Sequence, residues 1–228
     1  MENSTTLPLP PSPSHNWTAA ANTRIISDLQ RQGWSVEPDY LGISLGDTLI
    51  KRLKSLEDQQ ALTEAGIGRK DKNQFAPDIR KDRTFWLDRF NNIDLLYLTR
   101  MEELRLELNR SLFMGLFEYE AHYAVYPPGG FYKKHIDALK GARNRIVSTV
   151  CYLNDDDWQP EDGGMLALYD ADNPDCLTYT VSPQKGTLVT FLSEDLPHEV
   201  LPAQRARRSI AGWFRCNASS ADRPDPLL

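Results

Sequence analysis

Residues 126–137 read Y-P-P-G-G-F-Y-K-K-H-I-D, and this stretch contains the polar pair from which the rest of the chain can be interpreted. The pair is His135 and Asp137, an imidazole and a carboxylate two residues apart. Alternate residues of an extended chain project to the same side, so one strand end can aim both side chains at one point. A pair of this kind also fits a surface turn, so the assignment depends on further ligands elsewhere in the chain.

A second histidine and an arginine supply those further groups. His198 lies 61 residues after Asp137 in L-P-H-E-V, and Arg207 follows nine residues later in R-R-S-I-A-G-W-F. Two histidines and one carboxylate form the facial ligand set of non-haem Fe(II) oxygenases, although Mn, Co, Ni and Zn fit the same ligands. A guanidinium beside that set could hold a carboxylate in bidentate fashion.

The order H-x-D, then His, then Arg nine residues later on an apolar strand resembles the prolyl-4-hydroxylase type of 2-oxoglutarate- and Fe(II)-dependent dioxygenases. The likeness is greatest to the hypoxia-inducible-factor type and its bacterial relatives, and it covers about residues 20 to 215. It implies hydroxylation of a prolyl residue at C4 in a protein substrate, with succinate and CO2 as products. It also implies that His135, Asp137 and His198 bind Fe(II), with 2-oxoglutarate and O2 as co-substrates and ascorbate as a stimulant. The bacterial relatives suggest an exposed prolyl loop, the switch region of elongation factor Tu, as one candidate substrate.

The resemblance implies roles for other residues of the site as well. It places Arg207 and the hydroxyl of Tyr152 on the distal carboxylate of 2-oxoglutarate, with Val150 lining the same pocket. It places Tyr126 near the iron and the co-substrate. Two residues that also fit an ordinary core would wall the cavity, Leu166 and Trp213. The substrate-side contacts would be Arg145, Tyr132, Asp78 and Arg80.

Strand parity decides between neighbouring candidates. Arg207 has the parity of Ser209, Ala211 and Trp213, which predicts that Arg207 faces the cavity and that Arg208 points away from it. On the strand before the H-x-D pair, His122 shares the parity of Tyr126 and could be a fourth metal ligand. Because the facial triad needs no further ligand, we expect His122 to shape the pocket instead.

Composition restricts the classes of function. The 228 residues fit one domain, with 40% apolar and 25% charged residues, and the net charge of −6 argues against a nucleic-acid or anionic-membrane partner. The three cysteines form no CxxC motif and indicate reduced thiols. Neither a signal peptide nor an apolar run of 18 residues is present, so we expect a cytoplasmic protein. We also expect a monomer or a weak dimer.

Hydrophobic periodicity predicts a mainly β fold with helical support. Three helices are expected over 18–32, 45–65 and 92–113, and a short strand over 34–36. From residue 119 onward about eight short strands with irregular turns are typical of a double-stranded β-helix, the cupin-like jelly roll. The predicted strands are 119–126, 131–135, 145–153, 165–169, 177–181, 187–191, 199–201 and 209–215.

The predicted domain limits follow from these elements. Residues 1–17 form a Pro-rich flexible tail, residues 18–215 a single domain, and residues 216–228 a C-terminal tail. Within the domain, residues 18–114 supply the helical support and residues 115–215 the jelly-roll core. The polar segment 66–80 is interpreted either as a lid over the substrate site or as a surface hairpin.

Other functions remain open. A hydroxylase of a small molecule or free amino acid would use the same chemistry. A metal-containing jelly-roll binding protein or isomerase could keep the three ligands but would not need Arg207 with Tyr152. The carboxylate of Asp137 argues against a halogenase, and the absence of a basic stripe argues against a nucleic-acid demethylase.

Overall fold

The protein is described by a computed structural model over residues 13–67, 74–75, 78–138 and 144–216, with side chains described for 18–66, 78–138 and 144–216. Three helices precede the main β region, as predicted: α1 (Pro13–Gln32), α2 (Gly42–Asp58) and α3 (Asn92–Leu112). Helix α1 begins five residues before the predicted Thr18, so residues 13–17 are helical rather than part of a tail. Residues 1–12 of that predicted tail lie outside the described residues.

The prediction for the end of α2 was wrong. The helix stops at Asp58 instead of continuing to residue 65, because Gln60 adopts a left-handed conformation with φ of 55°. The backbone N–H groups of Gln60 and Ala61 then donate to the carbonyls of Glu57 and Leu56, which closes the helix end. Apolar spacing continues past this point, and periodicity alone does not detect such a stop. Helix α3 agrees closely with its prediction, and the Asn91 side chain accepts hydrogen bonds from its first N–H groups.

Two antiparallel sheets make up the β region. The larger sheet has the order β1-β11-β8-β13-β6-β5-β2, the smaller has the order β10-β9-β12-β7, and β3 and β4 form a separate hairpin. The strands are β1 (Trp34–Glu37), β2 (Thr63–Glu64), β3 (Gly66–Ile67), β4 (Gln74–Phe75), β5 (Arg83–Trp86), β6 (Leu116–Tyr126), β7 (Tyr132–His135), β8 (Val147–Tyr152), β9 (Leu166–Tyr169), β10 (Leu177–Val181), β11 (Leu188–Leu192), β12 (His198–Val200) and β13 (Arg207–Cys216).

The larger sheet separates two apolar clusters because successive side chains of a strand face opposite ways. On β6, Tyr123 and Val125 pack with the helices, whereas Ala124 and Tyr126 face the smaller sheet. The helices cover the outer face of the larger sheet, and the space between the two sheets contains the second cluster. This arrangement is the predicted double-stranded β-helix with helical support.

All eight strands predicted after residue 119 are present, with ends shifted by up to three residues. Strand β6 starts at Leu116, and β13 extends to Cys216, a residue predicted to belong to the C-terminal tail. Residues 217–228 lie outside the described residues. Strands β2 and β5 were not predicted. Strands β3 and β4 pair in antiparallel fashion within segment 66–80, which agrees with the surface hairpin that was one of its two interpretations.

Over the ranges that the structure describes, no helix is both long and apolar enough to cross a bilayer.

Candidate active site

Three side chains predicted as metal ligands meet between the two sheets. His135 ends β7 and His198 begins β12, and these two residues are direct partners in the antiparallel ladder. Asp137 follows β7 by two residues, so its carboxylate reaches the same point. Each residue offers one ligand atom, and these atoms lie within 4.8 Å of one another. Strand pairing therefore brings together His135 and His198, which are 63 positions apart in sequence.

Backbone carbonyls orient both imidazoles. The Nδ1 of His135 lies 2.7 Å from the carbonyl oxygen of Lys133, and the Nδ1 of His198 lies 3.0 Å from that of Leu196. A carbonyl oxygen only accepts, so each Nδ1 carries the proton and each Nε2 lone pair is free. These Nε2 atoms lie 3.6 Å and 3.7 Å from the two oxygens of Asp137. This orientation is typical of histidines that bind a metal through Nε2.

The protonation states also suit metal binding. Burial lowers the pKa of His198 to about 4, so this imidazole is neutral near pH 7. Burial would raise the pKa of Asp137, but the neighbouring His198 and His135 and the Ser148 hydroxyl outweigh it and hold the pKa well below its usual range. The Ser148 hydroxyl donates to Asp137 Oδ2 at 2.7 Å, which fixes the carboxylate. The site therefore presents a neutral imidazole at His198 and a charged carboxylate at Asp137, the forms that metals bind.

Arg207 lies deep in the same cavity, as predicted. Its side chain is almost fully buried, with Nε donating to the carbonyl oxygen of Gly164 at 2.8 Å and one terminal nitrogen 3.4 Å from the Ser209 hydroxyl. The other terminal nitrogen is buried and has no hydrogen-bond partner in the part of the chain that the structure describes. Among the described residues, no carboxylate lies within ion-pair distance of this guanidinium. A buried cation with an unpaired donor indicates a place for an anionic ligand.

Tyr152 is a second buried group that lacks a partner there. Its hydroxyl donates to no acceptor among the described residues, and the centre of its ring lies 5.0 Å from the guanidinium carbon of Arg207. Burial raises the pKa of Tyr152 to about 12, with Arg207 opposing the rise, so the phenol keeps its proton and can donate. The ring of Tyr126 lies 5.2 Å from the same guanidinium. Two donors and two aromatic rings thus surround one polar end of the cavity.

A glycine pair shapes the floor beneath Arg207. Gly163 and Gly164 both have positive φ, 67° and 66°, and lead the chain into β9. A Cβ on Gly164 would lie 3.0 Å from Cδ of Arg207 and from Cβ of Ala203. A side chain at this position would crowd the arginine, so the close approach requires glycine.

The cavity has a volume of about 320 Å³ and extends from Arg207 past the ligand triad to the hairpin side of the larger sheet. Most of the residues predicted for the site line it, and Tyr152 lies buried beside them. The lining residues from the prediction are Tyr126, Tyr132, His135, Asp137, Arg145, Val150, Leu166, His198, Arg207, Trp213 and Arg80. Asp78 is the exception: this residue is exposed and does not line the cavity, because the chain turns inward only from Arg80 onward.

Strand parity correctly separated the neighbouring arginines. Ser209, Ala211 and Trp213 line the cavity together with Arg207. Arg208 lies on the opposite face, where it forms an ion pair at 2.7 Å with Glu57 of α2.

His122 shapes the pocket and is not among the clustered ligand atoms. Its ring makes edge contacts with Trp86 and Trp213, at centroid distances of 5.1 Å and 5.4 Å. Burial, assisted by Arg80 and Arg145, lowers the pKa of His122 to about 3, so the imidazole is neutral. Both the position and the charge state make His122 a wall residue.

Several residues that line the cavity were not predicted from the sequence. Trp86 and Thr84 of β5 line the cavity, as do residues 63–66. The run R-T-F-W has the aromatic and β-branched composition of a strand and could have indicated β5. No sequence signal marks Ser148 as the partner of Asp137, or the Gly164 carbonyl as the acceptor for Arg207.

Comparisons with known proteins agree with this geometry. Residues 121–215 match the family model of the 2OG-Fe(II) oxygenase superfamily. The crystal structure of a Pseudomonas putida prolyl-4-hydroxylase is 38% identical, covers 86% of this chain and 98% of its own, and superposes with a TM-score of 0.75. The chain therefore belongs to the 2-oxoglutarate- and Fe(II)-dependent oxygenases, the class that the fold and the ligand triad define. Within that class it is of the prolyl-4-hydroxylase type.

Curated relatives support the same grouping. A hypoxia-inducible factor prolyl hydroxylase of Caenorhabditis elegans is 26% identical over 83% of this chain, and the chain spans 27% of the length of that relative. Mouse prolyl hydroxylase EGLN3 is 25% identical over 83% of this chain and 81% of its own length. As a member of this superfamily, the protein is a dioxygenase that uses Fe(II), 2-oxoglutarate and O2.

Proposed function

We propose that this enzyme hydroxylates a prolyl residue at C4 in a protein substrate, giving succinate and CO2 from 2-oxoglutarate. The observation that carries the proposal is the buried Arg207 guanidinium, with an unpaired donor, at the end of a cavity that also contains a His-Asp-His triad. A simple metal-binding jelly roll has no need of such a cation. The 38% identity with the Pseudomonas putida prolyl-4-hydroxylase favours proline over other targets.

His135, Asp137 and His198 fit Fe(II) by donor type and by spacing. The neutral imidazole of His198 and the charged carboxylate of Asp137 also suit a metal ion. When bound, the iron activates O2 at the expense of 2-oxoglutarate and oxidises a C–H bond held beside it. The chain's contribution is to fix the geometry of the ligands. The Lys133 and Leu196 carbonyls orient the imidazoles, and Ser148 orients the carboxylate.

The groups around Arg207 fit 2-oxoglutarate. The free terminal nitrogen of Arg207 and the hydroxyl of Tyr152 would donate hydrogen bonds to the distal carboxylate of 2-oxoglutarate, which would satisfy both buried donors. Val150 and Leu166 line the same cavity and give the carbon chain an apolar wall. We propose that this end binds the co-substrate and keeps its other carboxylate close to the triad.

The opposite end of the cavity fits the substrate. The guanidinium carbon of Arg145 lies over the Trp213 ring, 3.6 Å from its centre, and the guanidinium forms an ion pair with Glu120 at 3.0 Å. The resulting wall is rigid and partly aromatic, a suitable surface for a proline ring and the flanking backbone. We propose Arg145, Tyr132 and Trp213 as substrate contacts.

The strand pair β3 and β4 stands next to residues 63–66 at this end, and its tip lies outside the described residues. We propose that segment 66–80 covers a bound protein loop. Elongation factor Tu is our first candidate substrate, and the cytoplasmic location stays a prediction.

The experiment is anaerobic reconstitution with Fe(II) and 2-oxoglutarate, followed by exposure to air in a lysate of the host cell. Succinate and protein mass are measured, with D137A as the matched control. We expect succinate together with one protein that gains a single oxygen on proline, and neither with D137A, because loss of the carboxylate removes one of three metal ligands.

Other results separate the alternatives. Succinate without a modified protein would support a small-molecule or amino-acid hydroxylase. Metal binding without any succinate would contradict the proposed oxygenase reaction. A mass gain on elongation factor Tu would identify the substrate, and a gain on another protein would replace that candidate.

A further inference from the structure

The imidazole of His135 is in contact with the aromatic ring of another residue, Tyr132. The ring of Tyr132 stacks on the imidazole with a centroid distance of 3.6 Å and an angle of 18° between the planes. The hydrogen bond from Nδ1 to Lys133 still permits the imidazole to tilt about that axis, and a parallel ring in contact restricts this tilt. The direction of the free Nε2 therefore depends on where Tyr132 is held.

A charged side chain holds Tyr132 from the other side. The guanidinium carbon of Arg80 lies 4.5 Å from the centre of the Tyr132 ring. Since the imidazole in contact at 3.6 Å occupies one face of the phenol, the guanidinium must lie over the other face. Arg80, Tyr132 and His135 thus form a three-layer stack of cation, phenol and metal ligand, with a cation–π contact at its outer layer.

Arg80 is itself fixed in place. Two of its nitrogens donate to the two oxygens of Asp82, at 2.7 Å and 2.6 Å, and the carboxylate is fully buried. This fork-to-fork geometry leaves the guanidinium little freedom to rotate. Burial opposes the charge, but Asp82 raises the pKa of Arg80, so the cation persists.

Backbone pairing fixes the same segment to β7. Arg80 and Tyr132 form a bridge, the N–H of Lys81 donates to the Phe131 carbonyl, and the N–H of Lys133 donates to the Ile79 carbonyl, both at 2.9 Å. The segment just after the hairpin is therefore attached to the strand that carries the metal ligand. The ion pair and the backbone bonds together make the stack a single rigid unit.

From this stack we infer that Arg80 is a positioning residue for the metal site, which acts on His135 through Tyr132. The inference rests on the proposed metal site. The hydrogen bonds and the ion pair of the Arg80 side chain go to Asp82, and none joins it to the triad among the described residues, so its effect must pass through the phenol ring. The same side chain lines the cavity, which links the substrate-side wall to the geometry of one ligand.

The test uses Co(II) alone as the probe, because its visible absorption spectrum reports ligand geometry without catalysis. Dissociation constants and spectra are measured for the full chain and for R80L, R80K, Y132L and Y132F. We expect R80L and Y132L to weaken Co(II) binding about tenfold or more and to change the spectrum, as outer-shell losses do. Y132F keeps the ring and should behave as the unsubstituted protein, and R80K should restore part of the affinity.

R83L is the matched control. Arg83 lies on β5 close to Arg80 in sequence but is exposed, and it has no ion pair with any residue that the structure describes. Because R80L leaves the buried Asp82 without its cation, the pair R80M/D82N is measured as well. It removes the guanidinium without stranding a charge.

The outcomes decide between two failures. If R80L and R80M/D82N bind Co(II) like R83L, with unchanged spectra, Arg80 does not position the site. If Y132L bound Co(II) weakly while R80L bound it normally, the tyrosine alone would position the site, and the inference for Arg80 would be overturned. Should the unsubstituted protein bind Co(II) no better than H135A, the metal site itself would be wrong.

Discussion

Arg207 provides the sharpest test of the co-substrate site. Its guanidinium is buried and has no carboxylate partner among the described residues, yet one donor is unsatisfied. The substitution R207M keeps much of the aliphatic stem between Tyr126 and Tyr152 and removes the charge. Truncating one member of a buried charged pair costs about 2–5 kcal/mol, so the dissociation constant of 2-oxoglutarate should rise roughly 30- to 5,000-fold.

Thermal unfolding measures this loss directly. A ligand at 100 times its dissociation constant stabilises a protein by about 2.7 kcal/mol, which for a chain of this size is a rise in Tm of about 5–10 °C. If the dissociation constant of R207M is raised a hundredfold, the same concentration of 2-oxoglutarate should stabilise the variant by only about 0.4 kcal/mol and raise its Tm by about 1 °C. The measurement is made anaerobically with Fe(II) present. Without 2-oxoglutarate, R207M should lose little stability, because the removed charge has no anionic partner.

R208M should show the opposite behaviour. Arg208 pairs with Glu57 on the helix side, and both side chains are less than one-fifth exposed. Breaking that pair should cost about 1–3 kcal/mol of stability, between the values for exposed and buried pairs, while the 2-oxoglutarate shift in Tm persists. Full stabilisation of R207M by 2-oxoglutarate would refute the assignment of Arg207 to the co-substrate. If R207M and R208M reduced the 2-oxoglutarate shift in Tm equally, the assignment of the two arginines to opposite faces of β13 would not explain co-substrate binding.

Three further predictions concern other parts of the site. The folded protein holds the pKa of His122 near 3 against 6.5 in the unfolded chain, so the unfolded state binds more protons between these values. Stability should therefore fall by up to about 1.4 kcal/mol per pH unit below pH 6.5, and denaturant unfolding of H122M should show a shallower slope. G164A should raise the Michaelis constant for 2-oxoglutarate by crowding Arg207. The control G129A, with open space around its Cβ, should lower only Tm. Equal Michaelis constants for G164A and G129A would exclude crowding as the cause. Deleting part of residues 68–76 should impair hydroxylation of a protein substrate more than substrate-free turnover of 2-oxoglutarate, and an equal loss would make the segment structural.

Strand parity explains why so much of the site could be predicted. Alternation along β13 assigned Arg207 to the cavity and Arg208 to the other face, and both positions are observed. The same rule placed Val150 and Tyr152 together on β8. Parity is a local property of the backbone, so it needs no knowledge of which strands are neighbours.

The failures have equally physical causes. Asp78, expected among the substrate contacts, is exposed and does not line the cavity, because a resemblance in sequence does not say where a loop turns inward; its contact with substrate stays a prediction. Helix α2 was predicted too long, since one left-handed residue at Gln60 ends it while apolar spacing continues. Strand β2 is two residues long, too short for any periodic signal.

The sequence by itself determined the identity of the ligands, the order of the strands along the chain and the faces on which their side chains lie, because these depend on residue type and on a repeat of two. Only the tertiary structure decided which other groups orient those side chains. The Lys133 and Leu196 carbonyls, the Gly164 carbonyl under Arg207 and the Arg80 guanidinium over Tyr132 are such partners. Carbonyl groups are the same in every residue, so a sequence cannot mark the ones that matter. Their roles arise when pairing between distant strands brings them within hydrogen-bonding distance.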